Sequence, residues 1–374
     1  MEMSIVGAGP AGLVAAINLR LAGYDVTVHE AHEDVGHRLH NDFQGLENLS
    51  SEEDVPAFLD RIGVERNFLC HPYGGGDFYG PSLKKVSLES ERPLFYLVRR
   101  GNAEDTLDSG LKRQALAAGV RIEFGRRIDK IGPPAIVASG PKAADAIAKG
   151  ATFETDLPDM AAVILDEGLA PKGYAYFLVN GGRATLASCM FSGFRDEQRY
   201  FDKSLEAFKS LYSFEIRNPR EFGGFGNFFL KNTAIHGSKL YVGESAGFQD
   251  RLWGFGIRFA LHSGYLAARS IIEGKNYDDL WKKEIRPYLK ATLSSRLIVY
   301  KLGGKYHDWM ANSLSGKDPR GLLTWLYVPS FSKTLLYPLA DLYFRSRLMD
   351  KSCNHKDCEC TWCRCKRDMD AKAC

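Results

Sequence analysis

Residues 4–19, SIVGAGPAGLVAAINL, join a short apolar run, a series of spaced glycines and a helix-favouring stretch. The pattern predicts a strand, a tight turn and a helix. In such a turn Gly7 permits the bend, Gly9 lets a pyrophosphate approach the backbone, and Gly12 lets the helix pack closely on the strand. Ala11 lies in the same turn, so the diphosphate of a nucleotide is expected at the N-terminus of the helix.

The next stretch strengthens this prediction. Residues 24–30, YDVTVHE, read as a second strand that ends at Glu30, 18 residues after Gly12. An acidic side chain at that point can accept hydrogen bonds from a ribose hydroxyl. A glycine turn without a ligand is the alternative, but it gives no reason for the carboxylate. The sequence therefore predicts a dinucleotide-binding βαβ unit in an α/β protein.

Composition limits the class of protein. The chain has 374 residues, is 45% hydrophobic and carries a net charge of only +3, so we expect two domains and no nucleic-acid partner. Six of the eight cysteines lie in the last 22 residues, which does not resemble a disulfide framework. The pattern of a secretory signal does not precede the first strand. Both observations favour a cytoplasmic protein.

Alternation of apolar and polar residues divides the rest of the chain. Two alternating stretches predict a second, sheet-based domain that is inserted into the first, and the residues near the C-terminus read as helices. The predicted boundaries are 1–67, 99–151 and 236–280 for the nucleotide-binding domain, 68–98 and 152–235 for the sheet domain, 281–350 for a helical region, and 351–374 for a Cys-rich tail.

A second motif lies near the end of the nucleotide-binding domain. Gly243 and Glu244 end a predicted strand, and Gly254, Gly256 and Ile257 open a long helix. The carboxylate could accept a hydrogen bond from a ribitol hydroxyl, and the helix would direct backbone N–H groups at developing negative charge, such as that on a reduced flavin. An ordinary strand-to-helix turn is the alternative.

With these motifs the chain resembles flavoproteins of the para-hydroxybenzoate hydroxylase-like group, and most of all the geranylgeranyl reductase family. The resemblance covers most of residues 1–275. It includes the glycine turn with Glu30, Arg100 where the family has an arginine near FAD, and GESAG at 243–247 with the following GFGI, which is similar to the family's GDAAG…GxGI. It implies bound FAD, a Rossmann-type FAD-binding domain and an interleaved antiparallel β-sheet substrate domain.

A third block is similar to the reductases' substrate-cavity motif, Tyr-x-Trp-x-Phe-Pro. Here it reads Tyr174-x-Tyr176-x-Leu178-Val179. Tyr174, Tyr176 and Phe177 are therefore expected to line a substrate slot, although alternating aromatics also suit a sheet core. The sequence departs from the family where Glu244 replaces Asp, Arg251 stands where Pro is common, and residues 36–45 contain no Cys. These departures leave the exact substrate open.

By the resemblance, reduced flavin would deliver hydride to an isolated double bond of a prenyl lipid, with a proton supplied by a side chain or water. His40 and Asp42 are the candidates to hold that proton, and contact with adenosine or solvent is their alternative role. A second GxGxxG is absent, so electrons would come from transiently bound NAD(P)H or from a carrier protein. Two other functions stay open: a monooxygenase or oxidase that uses O2 and NAD(P)H, and an FAD-bearing electron-transfer or lipid-binding protein with a redox partner.

The helical region suggests a membrane surface. Residues 281–350 carry 12 Lys and Arg against 5 Asp and Glu, together with many apolar and aromatic residues. Pro329 and Pro338 interrupt the apolar runs, which excludes a transmembrane helix there. Interfacial helices drawn to anionic lipid would fit, so the protein is expected to be peripheral at the membrane. A helical lid packed on the flavin domain is the alternative.

The tail has a metal-binding composition. Its cysteines have the spacing C-x4-C-x-C-x2-C-x-C, and thiolates at this density favour a soft metal. We expect Zn first and an iron–sulfur cluster second, with an unmetallated tail as the remaining alternative. The predicted ligands are Cys358, Cys360, Cys363 and Cys365.

Overall fold

The computed structural model describes residues 2–128, 130–132, 134–228, 230–345 and 357–367. The strands are β1 (Glu2–Val6), β2 (Asp25–His29), β3 (Phe43–Glu47), β4 (Cys70–Tyr73), β5 (Gly75–Tyr79), β6 (Lys85–Glu89), β7 (Phe95–Arg99), β8 (Arg121–Glu123), β9 (Ala135–Val137), β10 (Ala146–Glu154), β11 (Met160–Ile164), β12 (Tyr174–Asn180), β13 (Arg183–Met190), β14 (Arg217–Gly226), β15 (Ile235–His236) and β16 (Lys239–Tyr241). The helices are α1 (Pro10–Leu21), α2 (Val55–Arg61), α3 (Leu107–Ala117), α4 (Glu197–Leu211), α5 (Ile257–Ile272), α6 (Tyr277–Glu284), α7 (Arg286–Leu302), α8 (Gly304–Leu314), α9 (Arg320–Tyr327), α10 (Phe331–Arg345) and α11 (Thr361–Arg367).

The first unit has the predicted Rossmann-type architecture. Its sheet has the strand order β15-β16-β9-β1-β2-β8. β1 lies centrally and pairs in parallel with β2 and β9, as expected when helices connect the strands. Helix α1 packs against α5 so closely that a Cβ added at Gly264 would lie 2.1 Å from the carbonyl oxygen of Ala11. This contact holds the two predicted cofactor-binding helices side by side.

The second unit is the predicted interleaved sheet. Its strand order is β14-β10-β13-β12-β11-β5-β6, and the neighbouring strands are antiparallel except for β5 and β11. Helix α4 covers one face, where Phe201 and Phe208 join the core of the sheet. The opposite face of β12 carries Tyr174, Tyr176 and Leu178 of the predicted substrate motif.

Two predicted domain boundaries need correction. β10 pairs along its length with β13 and β14, so residues 146–151 belong to the substrate sheet and not to the nucleotide-binding domain. β3 and β7, which were assigned to different domains, pair in one small sheet with the order β3-β7-β4. Alternation identifies a strand, but the partner of the strand is set by contacts distant in sequence.

The C-terminal region is helical, as predicted. Helices α7 and α10 pack through Leu293, Leu297, Ala340 and Phe344. Pro338 lies inside α10. Within the described ranges, none of the helices has both the length and the apolar character needed to cross a bilayer. Residues 346–350 of the predicted region lie outside the described part of the chain.

Candidate cofactor and substrate site

The glycine turn has the geometry that the sequence predicts. Gly7 has a φ of +97°, and a Cβ there would lie 2.4 Å from the carbonyl oxygen of Ala138. A Cβ at Gly12 would lie 2.1 Å from the carbonyl oxygen of Gly7, whereas a Cβ at Gly9 would meet no atom within 4 Å. The space in front of Gly9 is therefore open. Gly9 caps α1 without a side-chain hydrogen bond, so the first N–H groups of the helix, including that of Ala11, face this space and can bind an anion.

Glu30 lies beside this turn. Its Oε2 accepts a hydrogen bond from the N–H of Ala8 at 2.8 Å, and its Oε1 accepts one from the N–H of His32 at 3.1 Å. These two bonds fix the carboxylate at the end of β2, next to the open space of the glycine turn. A carboxylate in this position is an acceptor for ribose hydroxyls.

The second cofactor motif also adopts a tight turn. Gly243 has a φ of +58°, and its N–H donates to the Ser263 hydroxyl at 2.8 Å. Glu244 follows and lies 3.5 Å from the guanidinium of Arg38. Burial raises the pKa of Glu244, and the positive charges of Arg38 and Arg100 oppose that rise. Arg38 was not among the predicted residues, although its position in the polar stretch after β2 was a usable signal.

The loop before α5 contains a buried polar atom that has no partner among the described residues. Gly254 has a φ of +82°, and Gly256 caps α5 without a side-chain bond before Ile257 begins the helix. Gln249 donates from Nε2 to the carbonyl of Gly254 at 3.0 Å, but its buried Oε1 lacks a hydrogen-bond partner in the described structure. Such an acceptor suits an N–H of a bound ligand. The sequence prediction missed Gln249, which lies between the GESAG and GFGI motifs.

The residues present fit an FAD molecule. The open space at Gly9 suits the diphosphate, Glu30 suits the ribose, and the orphaned oxygen of Gln249 suits a flavin N–H. The space, the carboxylate and the unpaired oxygen are all formed by residues of this chain. The predicted cofactor-binding turns therefore supply complementary groups at both ends of such a ligand.

Arg100 is committed mainly to a protein partner. Its Nε and Nη2 donate to the Asp108 carboxylate at 2.8 and 3.0 Å, and Nη1 donates to the Gln44 side chain at 3.3 Å. Burial acts to lower the pKa of Arg100, but the carboxylates of Asp108, Asp42 and Glu244 together raise it above the ordinary value. A direct contact of Arg100 with FAD stays a prediction.

His40 and Asp42 lie in one turn but do not form a side-chain pair. The buried carboxylate of Asp42 accepts from the backbone N–H of His40 at 2.9 Å and from Gln44 Nε2 at 2.8 Å. The imidazole of His40 stacks on Phe222, with ring centroids 5.6 Å apart. Burial lowers the pKa of His40, and the Asp42 charge partly offsets this effect. Their role in proton transfer remains a prediction.

Tyr174 and Tyr176 belong to an aromatic cluster, and their role in lining a substrate slot stays a prediction. The Tyr174 hydroxyl donates to the carbonyl oxygen of Trp253 at 2.6 Å, and its ring lies 5.8 Å from that of Trp253. The Tyr174 and Tyr176 rings are 6.2 Å apart. Because Trp253 immediately precedes the GFGI motif, this hydrogen bond connects the predicted substrate motif to the predicted second cofactor turn. Sequence reasoning missed Trp253, which lies in an irregular loop.

The prediction that Phe177 lines the same slot is wrong. Successive side chains of a strand point to opposite faces, and Phe177 points towards α4. It is fully buried there, with its ring centroid 4.9 Å from that of Phe214 and 5.5 Å from that of Phe208. Phe177 therefore stabilises the core between β12 and α4.

The described part of the tail brings three of the four predicted metal ligands together. The Sγ atoms of Cys358, Cys360 and Cys363 all lie within 4.8 Å of one another, and all three residues are buried. Cys365 is in a disulfide bond, so it is not a thiolate ligand, and this part of the prediction is wrong. The spacing alone could not distinguish a disulfide cysteine from a ligand. Residues 351–356 and 368–374 of the predicted tail lie outside the described structure.

Comparison with solved structures identifies the fold. A geranylgeranyl bacteriochlorophyll reductase-like protein from Thermoplasma acidophilum superimposes with a TM-score of 0.70 and 20% identity, covering 93% of this chain and 99% of that chain. A flavin-dependent brominase superimposes with a TM-score of 0.63 and 15% identity, covering 92% of this chain and all of that chain. A flavoprotein/dehydrogenase from Cytophaga hutchinsonii superimposes with a TM-score of 0.59 and 18% identity, covering 92% of this chain and 99% of that chain. The chain has the fold of the FAD-dependent oxidoreductases.

Sequence comparison agrees with this class and with the predicted resemblance. A family model described as an NAD(P)-binding Rossmann-like domain matches residues 5–47. Digeranylgeranylglycerophospholipid reductase of Haloferax volcanii is 23% identical over 383 residues, covering 84% of this chain and 89% of the relative. The chain therefore has the fold of the FAD-dependent oxidoreductases, and its sequence is similar to that of a geranylgeranyl-type reductase.

Proposed function

We propose that this protein is a reductase that saturates isolated double bonds of a polyprenyl lipid of the geranylgeranyl type. The observation that carries the proposal is the hydrogen bond between the Tyr174 hydroxyl and the Trp253 carbonyl. It joins the aromatic substrate motif to the loop before GFGI, so an apolar chain held on the aromatic rings would lie next to the cofactor. The similarity to a reductase of digeranylgeranylglycerophospholipid supports the same substrate class.

The loop that carries Trp253 is held in place by hydrogen bonds to Asp250. The Asp250 carboxylate accepts from the N–H groups of Leu252 and Trp253 at 2.8 and 2.9 Å, and the buried Tyr327 of α9 donates to it at 3.1 Å. The C-terminal helices thus help to fix the aromatic lining. A rigid lining favours catalysis by positioning, because an unactivated alkene develops no oxyanion for the protein to stabilise.

The lining also keeps water and charge away from the alkene. Burial raises the pKa of Tyr174 and Tyr176 well above the ordinary value, so both phenols stay neutral near pH 7. When FAD is bound and reduced, it supplies a hydride equivalent. The chain would hold the cofactor through Gly7, Gly9, Gly12, Glu30 and the turn at 243–257.

For the proton we propose His40 as the donor and Asp42 as its positioning partner. Because burial lowers the pKa of His40, its protonated form is a stronger acid than an exposed imidazolium and releases its proton more readily. Asp42 holds the backbone of His40 at 2.9 Å, and Phe222 supports the ring. This arrangement would keep the imidazole at one place during turnover.

A lipid substrate also needs a route from the bilayer. Helix α10 exposes Phe331, Leu335, Leu339 and Leu342, with 80, 66, 59 and 71% of each residue accessible. We propose that this stripe rests on the surface of an anionic membrane and that the protein is peripheral there. NAD(P)H, bound transiently, or a carrier protein would supply the electrons.

The test uses chemically reduced protein, so that the natural electron donor is not needed. FAD-loaded protein is reduced without oxygen, freed of reductant and mixed with a geranylgeranyl lipid while the flavin spectrum is recorded. We expect the lipid alone to restore the oxidised spectrum and mass spectrometry to show added hydrogen pairs. His40→Ala should slow this reoxidation at least tenfold, whereas the matched control His71→Ala, on β4, should not.

Reoxidation by air but not by lipid would reject the reductase. It would favour an oxygen-using monooxygenase or oxidase, a chemistry compatible with a fold shared with a flavin-dependent brominase. If the protein turns over no substrate either as a reductase or as an oxygen-using enzyme, the alternative of an electron-transfer or lipid-binding protein remains.

A further inference from the structure

The tail returns to the substrate sheet and forms a defined contact there. Helix α11 packs on β10 and β14. The backbone N–H of Thr361 donates to Oε2 of the buried Glu197 at 2.8 Å, and the Arg364 guanidinium donates to its Oε1 at 2.9 Å. Gly223 of β14 allows this approach, because an added Cβ would lie 2.4 Å from the Thr361 hydroxyl oxygen.

The contact encloses three thiols in an apolar pocket. Cys358, Cys360 and Cys363 are 3, 1 and 3% exposed, and their sulfurs all lie within 4.8 Å of one another. Ile147 of β10 and Met190 of β13 belong to the same buried cluster. Three sulfurs this close together are more than a single disulfide can use, and their convergence gives one shared point for a ligand.

The sulfur atoms of these three cysteines favour a soft cation as the bound species. Sulfur ligands select Zn²⁺, Cu⁺ or iron–sulfur clusters over hard cations such as Mg²⁺ and Ca²⁺. Cu⁺ is stable with three thiolates, and Zn²⁺ completes a tetrahedron with one further ligand. Among the described residues, the disulfide-bonded Cys365 cannot provide a fourth thiolate. Since clusters usually take four cysteine ligands, three thiolates favour a single ion.

We propose that Cys358, Cys360 and Cys363 form a three-thiolate site for one soft d¹⁰ cation, Zn²⁺ or Cu⁺, which fixes the tail on the substrate sheet. The site is independent of the proposed reductase activity. Trp362, between two of the ligands, packs edge-on against Phe225 of β14 at 5.0 Å, and Phe225 lies 4.7 Å beneath the Arg38 guanidinium. The cation would therefore stabilise the strand that also supports Arg38 near Glu244.

The test begins with the metal content of the full chain, purified without oxygen, chelators or added thiols. Elemental analysis is expected to find a stoichiometric amount of zinc or copper. Cys358→Ser and Cys363→Ser should each lose most of it, whereas Cys70→Ser, a control at a cysteine on β4, should retain it. Because a serine variant could lose metal by unfolding, a second measurement uses the unaltered protein: a stoichiometric mercurial thiol reagent should release Zn²⁺ to a chromogenic chelator.

The two ions are separated by spectroscopy. Co²⁺ substituted for Zn²⁺ should show a sulfur-to-metal charge-transfer band in the near ultraviolet that disappears in both serine variants. A Cu⁺ site should instead lose its ion to a Cu⁺-specific chelator and reject Co²⁺. Protein that holds metal no better than either serine variant would overturn the proposal, and so would iron with acid-labile sulfide.

Discussion

The Arg100 guanidinium and the Asp108 carboxylate form a two-point ion pair, with donor–acceptor distances of 2.8 and 3.0 Å. Asp108 is 1% exposed and also accepts from the N–H of Gly101 at 3.0 Å. The remaining Nη1 of Arg100 donates to Gln44 on β3. One buried pair therefore connects the end of β7, helix α3 and the strand that follows the His40–Asp42 turn.

Replacing Asp108 by Asn should strongly destabilise the protein. The variant leaves the buried Arg100 cation without its counter-charge, and breaking a buried pair in this way costs about 3–5 kcal/mol. Urea unfolding of the FAD-free protein measures the loss. As a control, Arg183→Gln removes a more exposed pair with Asp105 at 2.8 Å and should cost at most about 1 kcal/mol. Equal effects of the two variants would contradict this argument.

Alanine at Gly9 and at Gly12 should have different effects. At Gly9 an added Cβ meets no protein atom within 4 Å, so Gly9→Ala should fold normally but bind FAD at least tenfold more weakly, since the methyl group projects into the open phosphate space. At Gly12 the Cβ would lie 2.1 Å from a backbone oxygen, so Gly12→Ala should lower the melting temperature even without FAD. Thermal unfolding and FAD titration distinguish them. If Gly9→Ala binds FAD with unchanged affinity, the diphosphate does not bind in front of Gly9.

Neutralising Glu30 should weaken FAD binding. Glu30→Gln keeps the shape but replaces a charged acceptor, and a hydrogen bond to a charged group contributes about 1.5–3 kcal/mol, so roughly a 10- to 100-fold loss in FAD affinity is expected. Quenching of flavin fluorescence gives the dissociation constant. Glu33→Gln, an exposed change three residues later, is the matched control. A similar affinity in both variants would remove Glu30 from the ribose site.

Local patterns explain why the glycine turn and Glu30 could be predicted. Their spacing is fixed within one βαβ unit, and in the structure Gly7 has a positive φ and Glu30 lies at the end of β2 beside the turn. Phe177 could not be placed on a face, because β12 reads YAYFLVN and is apolar on both sides. When apolar residues occupy both faces of a strand, the alternation of its side chains does not show which face packs on α4.

Other features depend on contacts between distant parts of the chain. Gln249 and Trp253 lie in a loop without periodicity, and their roles become visible only when the orphaned oxygen and the Tyr174 contact are known. The pairing of β10 with β14 joins segments about seventy residues apart. In the tail, residue type predicted the thiol cluster, but the disulfide at Cys365 depends on three-dimensional proximity.

Lys333 should give the protein an alkaline pH dependence. It is 2% exposed, and its ammonium donates to the carbonyl oxygens of Trp325 and Val328 at the end of α9. Burial lowers the pKa of Lys333 from 10.5 to about 8. Between these values the unfolded chain binds more protons than the folded one, so the free energy of unfolding should rise as the pH increases from about 8 to 10.5.

Lys333→Met should reduce this rise, because the variant has no ammonium group to bury. Chemical denaturation at several pH values between 7.5 and 10.5 gives the slope of the unfolding free energy for each protein. The exposed Lys317→Met variant serves as the control and should keep the slope of the original protein. If Lys333→Met keeps the slope as well, another group causes the pH dependence.

The apolar stripe of α10 should determine binding to lipid. The opposite face of this helix packs on α7 through Ala340 and Phe344, so replacing Leu335 and Leu342, which are 66 and 71% exposed, by Ser should leave the fold intact. Each leucine that enters the interface contributes about 1–2 kcal/mol, so the double variant should bind anionic vesicles roughly 30- to 1,000-fold more weakly. Leu21→Ser, at an equally exposed leucine on α1, is the control and should bind normally.

Vesicle co-sedimentation measures the effect, and higher salt should weaken binding of the original protein because its basic residues contribute. If the double variant binds vesicles normally but changes from dimer to monomer in light scattering, the stripe is a contact between two copies of the chain, and lipid must reach Tyr174 by another route.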